Sequence, residues 1–346
     1  MWCAHRKYSF LIVVALCVLI TGCLSTTSDQ RSVPSSDSDS DSGFGASGSA
    51  SSCGSSSLTS RVPRQGSTLG SQIASSLPDR SGATQNRHCR MANAMSSPNG
   101  GVPNSLRNLV PVQIGPGVTI CVMPDYMSFG TDADSVRAPL GRDQAVEMAR
   151  DMGFMLPTTS MVDAIYRSSS ARRLTPSPET QARESVNTFV AHSRANDGEI
   201  GAYRGLVAGH RKDLVADRVS RQGNVSIYGW QRGAGNNIQD LHSGHNDYYA
   251  DYSHGVRFVS QTVFINGENV SIFDVMTNPQ YAQYRQYFGN PGTFSASDLN
   301  AFNPSTPQAG HGASNCFTPR GGPAPPRNER ARRVDPDQIR MNGVYR

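Results

Sequence analysis

The stretch Leu109-Val-Pro-Val-Gln-Ile-Gly-Pro-Gly-Val-Thr-Ile-Cys-Val-Met123 begins the part of the chain in which apolar residues recur regularly. Two apolar runs, residues 109–114 and 118–123, flank the turn sequence Gly115-Pro116-Gly117, which predicts two strands joined by a tight turn. Pro111 has no backbone N–H to donate, so the first strand is expected at a sheet edge.

Periodic apolar residues continue from there to about residue 302. Helical spacing occurs in four stretches, which are residues 142–152, 158–165, 179–194 and 281–288. Alternating or continuous apolar runs predict further strands at residues 203–208, 214–216, 225–230, 256–265 and 270–273. Helices in the middle and strands on both sides favour an α+β fold, a single domain over residues 106–303 with a mostly antiparallel sheet and about four helices.

The first 22 residues have the pattern of an export signal. Basic residues at 5–7 precede an apolar run at 10–20, which is too short for a mature membrane span but suits a signal peptide. The run ends in Leu19-Ile20-Thr21-Gly22-Cys23, which resembles the lipobox of bacterial lipoproteins. The resemblance implies cleavage before Cys23, lipidation of Cys23 and, because Leu24 is not an aspartate, an outer-membrane location in a Gram-negative cell. An ordinary signal peptide or an uncleaved anchor is the alternative.

Residues 23–105 are expected to form a disordered tether behind the lipidated cysteine. Residues 24–60 contain 16 serines, and Ser and Asp alternate from Ser36 to Ser42. Such a composition buries too little apolar surface to offset the loss of chain entropy on folding. A flexible tether of this length would reach about 50 Å. Residues 304–346 are rich in Pro, Gly and Arg and are expected to form a C-terminal tail.

The charge distribution argues against a nucleic-acid partner. The net charge is only +5, and the last 27 residues alone contain seven arginines and three acidic residues. Most of the positive charge therefore belongs to the tail and does not form a basic face on the domain. The expected partners are a membrane, through the lipid anchor, and an envelope glycan or peptidoglycan.

Four cysteines remain once the signal is removed and Cys23 is lipidated, namely Cys53, Cys89, Cys121 and Cys316. An exported domain meets oxidising conditions, and four cysteines allow three pairings. We expect a disulfide between Cys121 and Cys316 that ties the C-terminal segment to an early strand. A catalytic pair of Cys316 with His311 is the alternative.

Four of the eight histidines fall between residues 209 and 257. They lie in Gly209-His210-Arg211-Lys212-Asp213 and in the segment that runs from His242 through His245 and Asp247 to Tyr252-Ser253-His254 and Arg257. Lys212 stands out because the chain has 30 arginines and only two lysines, and Lys7 belongs to the signal. A lysine retained among so many arginines indicates a need for a compact ammonium group or a shiftable pKa.

Three roles are open for this cluster: a metal site, acid–base catalysis, or a non-catalytic role in which the residues only bind a ligand or the histidines are hydrogen-bonded core residues. A divalent metal such as zinc would suit neutral imidazoles with a carboxylate, and the cofactor is otherwise unknown. For catalysis the candidates are His210, Lys212 and His254, expected around one pocket. Trp230, Tyr252 and Arg257 are the candidate substrate-binding residues, Asp213 and Asp247 the orienting groups, and His245 the candidate metal ligand.

Residues 208–259 contain motifs that resemble those of two protein families. Ser253-His254-Gly255 is similar to part of the Ser-His-Gly-Cys signature of L,D-transpeptidases, but Val256 replaces the nucleophilic cysteine, so that activity is not implied. Residues 208–259 resemble an uncharacterised family of secreted bacterial proteins, through Gly209-His210-x-Lys212-Asp213, Ile227-Tyr-Gly-Trp230 and Asp251-Tyr-Ser-His-Gly255. The family implies no known reaction.

The sequence therefore predicts a cell-envelope lipoprotein whose α+β domain is a hydrolase of an envelope or extracellular polymer, either peptidoglycan or polysaccharide. The alternative is a non-catalytic lipoprotein that binds a glycan or a protein partner. A hydrolase needs His210 and His254 to converge on one open cleft. A binding module needs only a groove with aromatic residues.

Overall fold

The computed structural model describes residues 53–79, 84–221 and 223–305. Over these ranges the chain has the α+β architecture with mostly antiparallel sheets that the sequence predicts. The expected signal peptide, the lipidation site Cys23 and the tail from residue 306 lie outside the described residues. No helix within the described ranges is long and apolar enough to cross a membrane.

Seven α-helices lie in these ranges, against about four expected: α1 (Gly70–Ser75), α2 (Thr84–Ser96), α3 (Arg142–Met152), α4 (Thr159–Arg167), α5 (Val186–Ile200), α6 (Ile272–Thr277) and α7 (Ala296–Asn300). Short 3-10 helices span Asn104–Arg107 and Pro279–Tyr287. Helix α3 matches its predicted bounds. Helix α4 begins as predicted, because the hydroxyl of Thr158 accepts a hydrogen bond from the N–H of Met161 at 3.2 Å.

The strands are short, except in one hairpin: β1 (Val110–Gly115), β2 (Val118–Val122), β3 (Ser128–Gly130), β4 (Ser135–Arg137), β5 (Phe154–Met155), β6 (Arg172–Arg173), β7 (Val207–Ala208), β8 (Lys212–Leu214), β9 (Asn224–Gly233), β10 (Asn236–Asn246), β11 (His254–Gly255), β12 (Val259–Ile265) and β13 (Glu268–Ser271). Strands β3 and β4 form an antiparallel ribbon, and β6 and β7 a parallel one.

The main sheet has the antiparallel order β1-β2-β12-β13, with β5 paired to β12. Strand β2 is buried along its whole length, and β1 lies at the edge, as Pro111 predicts. The turn between them requires glycine at Gly117, where φ is +67° and a Cβ would lie 2.1 Å from Oδ1 of Asn266.

A second sheet carries most of the polar residues singled out in the sequence. Its order is β10-β9-β8-β11, in which β11 runs parallel to β8 and the other pairs are antiparallel. The register places Lys212 opposite His254 and Asp213 opposite Gly255. The topology therefore joins two segments that lie about forty residues apart in the sequence.

The fold begins earlier than the sequence predicts. Residues 53–105 include helices α1 and α2, and Met91, Met95 and Val102 of this region are completely buried in the core. Cys121 forms its disulfide with Cys53, not with Cys316 as expected. The disordered tether predicted for residues 23–105 is therefore wrong for residues 53–79 and 84–105, and the rest of that prediction lies outside the described residues. The serine-rich composition gave no sign of this folded segment, which is held by disulfide bonds at Cys53 and Cys89 and by buried apolar side chains.

Strand β10 is the other element that the pattern did not reveal. Its sequence, Asn236–Asn246, contains only two aliphatic residues, and its pairing with β9 is interrupted by three irregularities of register. A strand with bulges loses the two-residue period on which sequence prediction depends. Conversely, only Val207–Ala208 of the strand predicted at 203–208 is paired.

Candidate functional site

Four consecutive polar side chains at the start of strand β8 and just before it are buried in the interior of the protein. His210, Arg211, Lys212 and Asp213 are all less than 5% exposed. Buried charges are strongly unfavourable unless neighbouring groups pair with them. These side chains therefore need partners, and they have them in two clusters, one on each face of β8.

The first group, here called the Lys212 cluster, contains Lys212, His254, Asp251 and Trp230. Lys212 lies opposite His254 in the parallel β8–β11 pair, and its Nζ is 5.3 Å from the centre of the Trp230 ring. Asp251 accepts hydrogen bonds from the backbone N–H of Ser253 at 2.9 Å and from its hydroxyl at 2.5 Å. The cluster thus places an ammonium, an imidazole and a carboxylate close together.

The two titratable partners of Lys212 have strongly shifted pKa values. Burial, together with the positive charge of Lys212, lowers the pKa of His254 to about 3 against the opposing effect of Asp251. Burial by itself would raise the pKa of Asp251, but His254, Lys212 and Arg183 hold it well below its usual range. His254 is therefore neutral and Asp251 ionised at neutral pH.

The second group, here called the Asp125 cluster, lies on the other face of β8 and contains Asp125, Tyr126, His210, Asp213 and Arg257. Nε2 of His210 lies 3.3 Å from Oδ1 of Asp125. The Tyr126 hydroxyl donates a hydrogen bond to Asp213 at 2.9 Å, and the Arg257 guanidinium lies 4.4 Å from the centre of the Tyr126 ring. Nε of Arg257 is 3.7 Å from Asp213.

The carboxyl groups of Asp125 and Asp213 have opposite properties. Burial raises the pKa of Asp213 to about 7, although Arg257 and the Tyr126 hydroxyl lower it. Burial also disfavours ionised Asp125, but Arg137 and His210 keep its pKa well below the usual range. The cluster therefore holds one carboxylate and one carboxyl group that is close to half-protonated at neutral pH.

The separation into two clusters follows from strand geometry. Successive side chains on a strand point to opposite faces, so Lys212 and Asp213 face opposite sides. His210 precedes the strand and contacts Tyr126 on the Asp213 side, with 4.8 Å between ring centroids. The structure thus brings Lys212 and His254 together and places His210 in a different cluster from the one expected.

One of the two clusters reaches the surface. A cleft of about 280 Å³ is lined by side chains that include Asp125, Arg137, Asp197, Tyr203 and Arg204. Arg137 lies between two of these carboxylates, with NH2 2.6 Å from Asp125 and NH1 2.8 Å from Asp197. His210, Lys212 and His254 do not line this cleft.

The candidate substrate-binding residues are enclosed as well. Trp230 and Tyr252 are 3% and 1% exposed, with 6.3 Å between their ring centroids. Arg257 donates hydrogen bonds to the carbonyl groups of Met123 at 2.9 Å and Val207 at 2.7 Å. These contacts give Arg257 a structural role between loops of the core.

The remaining candidates, Asp247 and His245, are half-buried near the end of the β9–β10 hairpin. The backbone N–H of Asp247 bonds to Gly223 O at 3.0 Å, and its carbonyl accepts from Arg142 N at 3.0 Å. The His245 ring lies between those of His242 and Tyr249, at centroid distances of 5.0 Å and 4.2 Å. Among the described residues, no three His, Cys, Asp or Glu side chains form a group that could hold a metal ion.

Several buried polar atoms of the clusters have no hydrogen-bonding partner within the described part of the protein. They include both ring nitrogens of His254 and Nε1 of Trp230, and beside the clusters both ring nitrogens of His192 and the Nε and NH2 atoms of Arg211. His192 packs edge-on against Tyr252, with 5.0 Å between ring centroids. Buried donors of this kind are usually satisfied by water or by a ligand.

Sequence reasoning missed Asp125, Arg137 and Asp251. Asp125 could have been found, because it follows the predicted strand β2 directly and polar residues at strand ends often form sites. Asp251 lies inside the Asp-Tyr-Ser-His-Gly motif but was given no role. Arg137 gave no signal, because only the folded chain brings β4 beside Asp125.

Comparisons with protein-family models, with curated proteins and with solved structures yield no match for this chain. Its function must therefore be argued from the site alone.

Proposed function

We propose that this protein is a lipid-anchored component of the bacterial cell envelope that binds an envelope glycan in the Asp125–Arg137–Asp197 cleft. The exposure of the candidate residues favours binding over catalysis. The expected catalytic residues His210, Lys212 and His254 are each at most 1% exposed, whereas the cleft is open and lined by polar groups. A polymer can reach the cleft without any rearrangement of the core.

The chemistry of the cleft suits a ligand that is rich in hydroxyl groups. A hydroxyl both donates and accepts hydrogen bonds, so it can use carboxylates and guanidinium groups at the same time. In the cleft, the Arg137 guanidinium lies between the carboxylates of Asp125 and Asp197. The exposed Arg204 and the half-buried Tyr203 also line the cleft. Because its charges are balanced in pairs, the cleft does not favour a strongly charged polymer.

A binding assay with two cleft variants tests this proposal. Asp197→Asn and Arg204→Ala should each weaken the binding of purified protein to peptidoglycan or envelope polysaccharide about fivefold to tenfold, since each removes a charge-assisted hydrogen bond of about 1–1.4 kcal/mol. Asp274→Asn, an exposed aspartate outside the cleft, is the matched control. Unchanged binding in both cleft variants would refute the cleft as the glycan site.

The membrane location rests on the lipobox-like sequence that ends at Cys23. Two or more acyl chains hold a protein stably at a membrane surface. Cys23→Ser should therefore release the protein from the membrane fraction or leave it unprocessed, which fractionation and mass spectrometry would detect. Unchanged mass and unchanged fractionation would end the lipoprotein proposal, and in a Gram-negative cell the outer membrane is the expected location.

Hydrolysis of the bound polymer is the second candidate, and the two carboxyl groups of the Asp125 cluster favour it. Asp125 is ionised on the cleft, while the pKa of Asp213 is about 7. An ionised and a protonated carboxyl group in one cluster is the arrangement that acid–base hydrolysis uses. Because Asp213 does not line the cleft, catalysis would also require a route for its proton to the bound polymer.

Release of soluble fragments from the polymer separates the two candidates. A hydrolase should lose at least about a hundredfold in rate in Asp125→Asn, which is more than the fivefold to tenfold loss of binding expected for a cleft variant. A binding protein releases no fragments in either form. The same preparation with Asp274→Asn provides the control for folding and purity.

A further inference from the structure

Two histidines of strand β10 lie on the same face of the sheet, although their spacing predicts otherwise. Residues three apart on a regular strand point to opposite faces. His242 pairs with Ile227 and His245 with Val225, so three residues of β10 span only two residues of β9. This bulge returns both imidazoles to one face.

The two rings are close and partly accessible to solvent. Their centroids are 5.0 Å apart with an interplanar angle of 65°, and both residues are half-buried. The ring of His242 folds over Gly244, where a Cβ would lie 2.7 Å from its Cε1 and Nε2 atoms. Glycine at position 244 is therefore what allows the His242 ring to take this position.

The second ring is supported from the interior. His245 stacks on Tyr249 with 4.2 Å between centroids, and the Tyr249 hydroxyl donates a hydrogen bond to Asp251 at 3.0 Å. Asp251 in turn is held by Arg183 at 2.9 Å. This chain of contacts restricts the orientation of the His245 imidazole before any ligand binds.

We propose that His242 and His245 form a binding site for a divalent transition-metal ion, which is independent of the glycan cleft. Imidazole is a preferred ligand of Zn²⁺, Cu²⁺ and Ni²⁺. Two preoriented imidazoles supply half of a tetrahedral set, and water supplies the rest, because no third protein ligand joins them within the described residues. An open coordination of this kind can exchange its ion or accept a further ligand.

Metal titration of the purified full-length protein tests the site, with Zn²⁺ in calorimetry and Cu²⁺ in electron paramagnetic resonance. We expect a Cu²⁺ signal with two coordinated nitrogens. His242→Ala and His245→Ala should each weaken Zn²⁺ binding at least about tenfold, a loss at the lower end of that caused by disturbing a metal site. Asn237→Ala, on the same strand, should leave the affinity unchanged.

Gly244→Ala provides a test that keeps both ligands. The new methyl group displaces the His242 ring, which can swing aside without disturbing the backbone, so the circular dichroism spectrum should be unchanged while affinity for Zn²⁺ falls about tenfold. Full affinity in the double variant His242→Ala/His245→Ala would place any bound ion elsewhere and overturn the proposal. Absence of binding at about 1 mM Zn²⁺ would overturn it as well.

Discussion

Lys212 is unusual both in the composition of the chain and in its position in the structure. It is the only lysine after the signal segment and is 1% exposed, with Nζ over Trp230 and its charge lowering the pKa of Asp251. A small ammonium fits this space, whereas a guanidinium is larger and planar. The rare lysine of this chain is therefore a buried charge that stabilises the ionised carboxylate of Asp251.

We expect Lys212→Met to lower the free energy of unfolding by about 3–5 kcal/mol at pH 7, because removing one partner leaves the buried Asp251 carboxylate poorly compensated. Lys212→Arg keeps the charge and should cost about 1–3 kcal/mol through overpacking. Denaturant unfolding measures both values. Equal stability of Lys212→Met and the native protein would show that Lys212 does not compensate Asp251.

Four buried histidines should make the stability depend on pH. Burial lowers the pKa values of His88, His192, His210 and His254 to between about 2 and 4, against 6.5 in an unfolded chain. Below pH 6.5 the unfolded chain therefore binds more protons than the folded one. The stabilisation is complete above pH 6.5 and is lost progressively as the pH falls from 6.5 to the folded-state pKa of each histidine, at up to about 1.4 kcal/mol per pH unit for each.

Asp213 opposes this trend between pH 4 and 7, because its raised pKa makes the folded state bind a proton there. His192→Phe preserves the ring contact with Tyr252 and removes one titrating group. It should reduce the slope of unfolding free energy against pH, near pH 5, by about 1.4 kcal/mol per unit. An unchanged slope in denaturant titrations at several pH values would contradict the assignment for His192.

At the scale of elements, the Cys53–Cys121 disulfide fastens the N-terminal segment to β2, a strand of the main sheet that is buried along its whole length. Cys89 is also disulfide-bonded. A bond that closes a separation of 68 residues restricts the unfolded chain strongly.

The double variant Cys53→Ala/Cys121→Ala should lower the free energy of unfolding by about 4 kcal/mol, the loop-entropy value for such a separation. Denaturant unfolding under non-reducing conditions isolates this bond from the one at Cys89. Leu69→Ala, an exposed position of the same segment, is the control. Equal unfolding midpoints for the double variant and the control would show that the bond adds no stability.

For the whole molecule, the fold depends on residues that precede the expected domain. Met91, Met95 and Val102 are completely buried, and α2 contacts both β3 and α3. A domain cut at residue 106 would expose this apolar surface and leave a cavity in the core.

Limited proteolysis of the full-length protein should therefore leave a protected fragment whose N-terminus lies at or before Cys53. A chain that starts at residue 106 should be insoluble or bind a hydrophobic dye, since its core is incomplete. Mass spectrometry of the protected fragment checks the boundary. A stable fragment that begins near residue 106 would contradict the structure in this region.

Local patterns in the sequence predicted those elements whose signals lie within about ten residues. Helix α3 has a complete apolar face, α4 has its cap at Thr158, and β1 and β2 flank a glycine-rich turn. The same patterns failed for β10, whose bulges break the period, and for α2, whose neighbours are serine-rich. Of the candidate site, composition and motif singled out Lys212, His254 and His210, and the expected grouping brought Lys212 and His254 together correctly but wrongly included His210.

The sequence by itself determined the α+β class, the main antiparallel sheet and the concentration of charge around β8. These depend on local periodicity, turns and residue types. Only the tertiary structure decided which face of β8 each charge occupies, that Cys121 bonds to Cys53, and that Asp125 rather than His254 reaches a cleft. The physical reason is that each of these depends on contacts between residues far apart in the chain, and such contacts form only when the whole core packs.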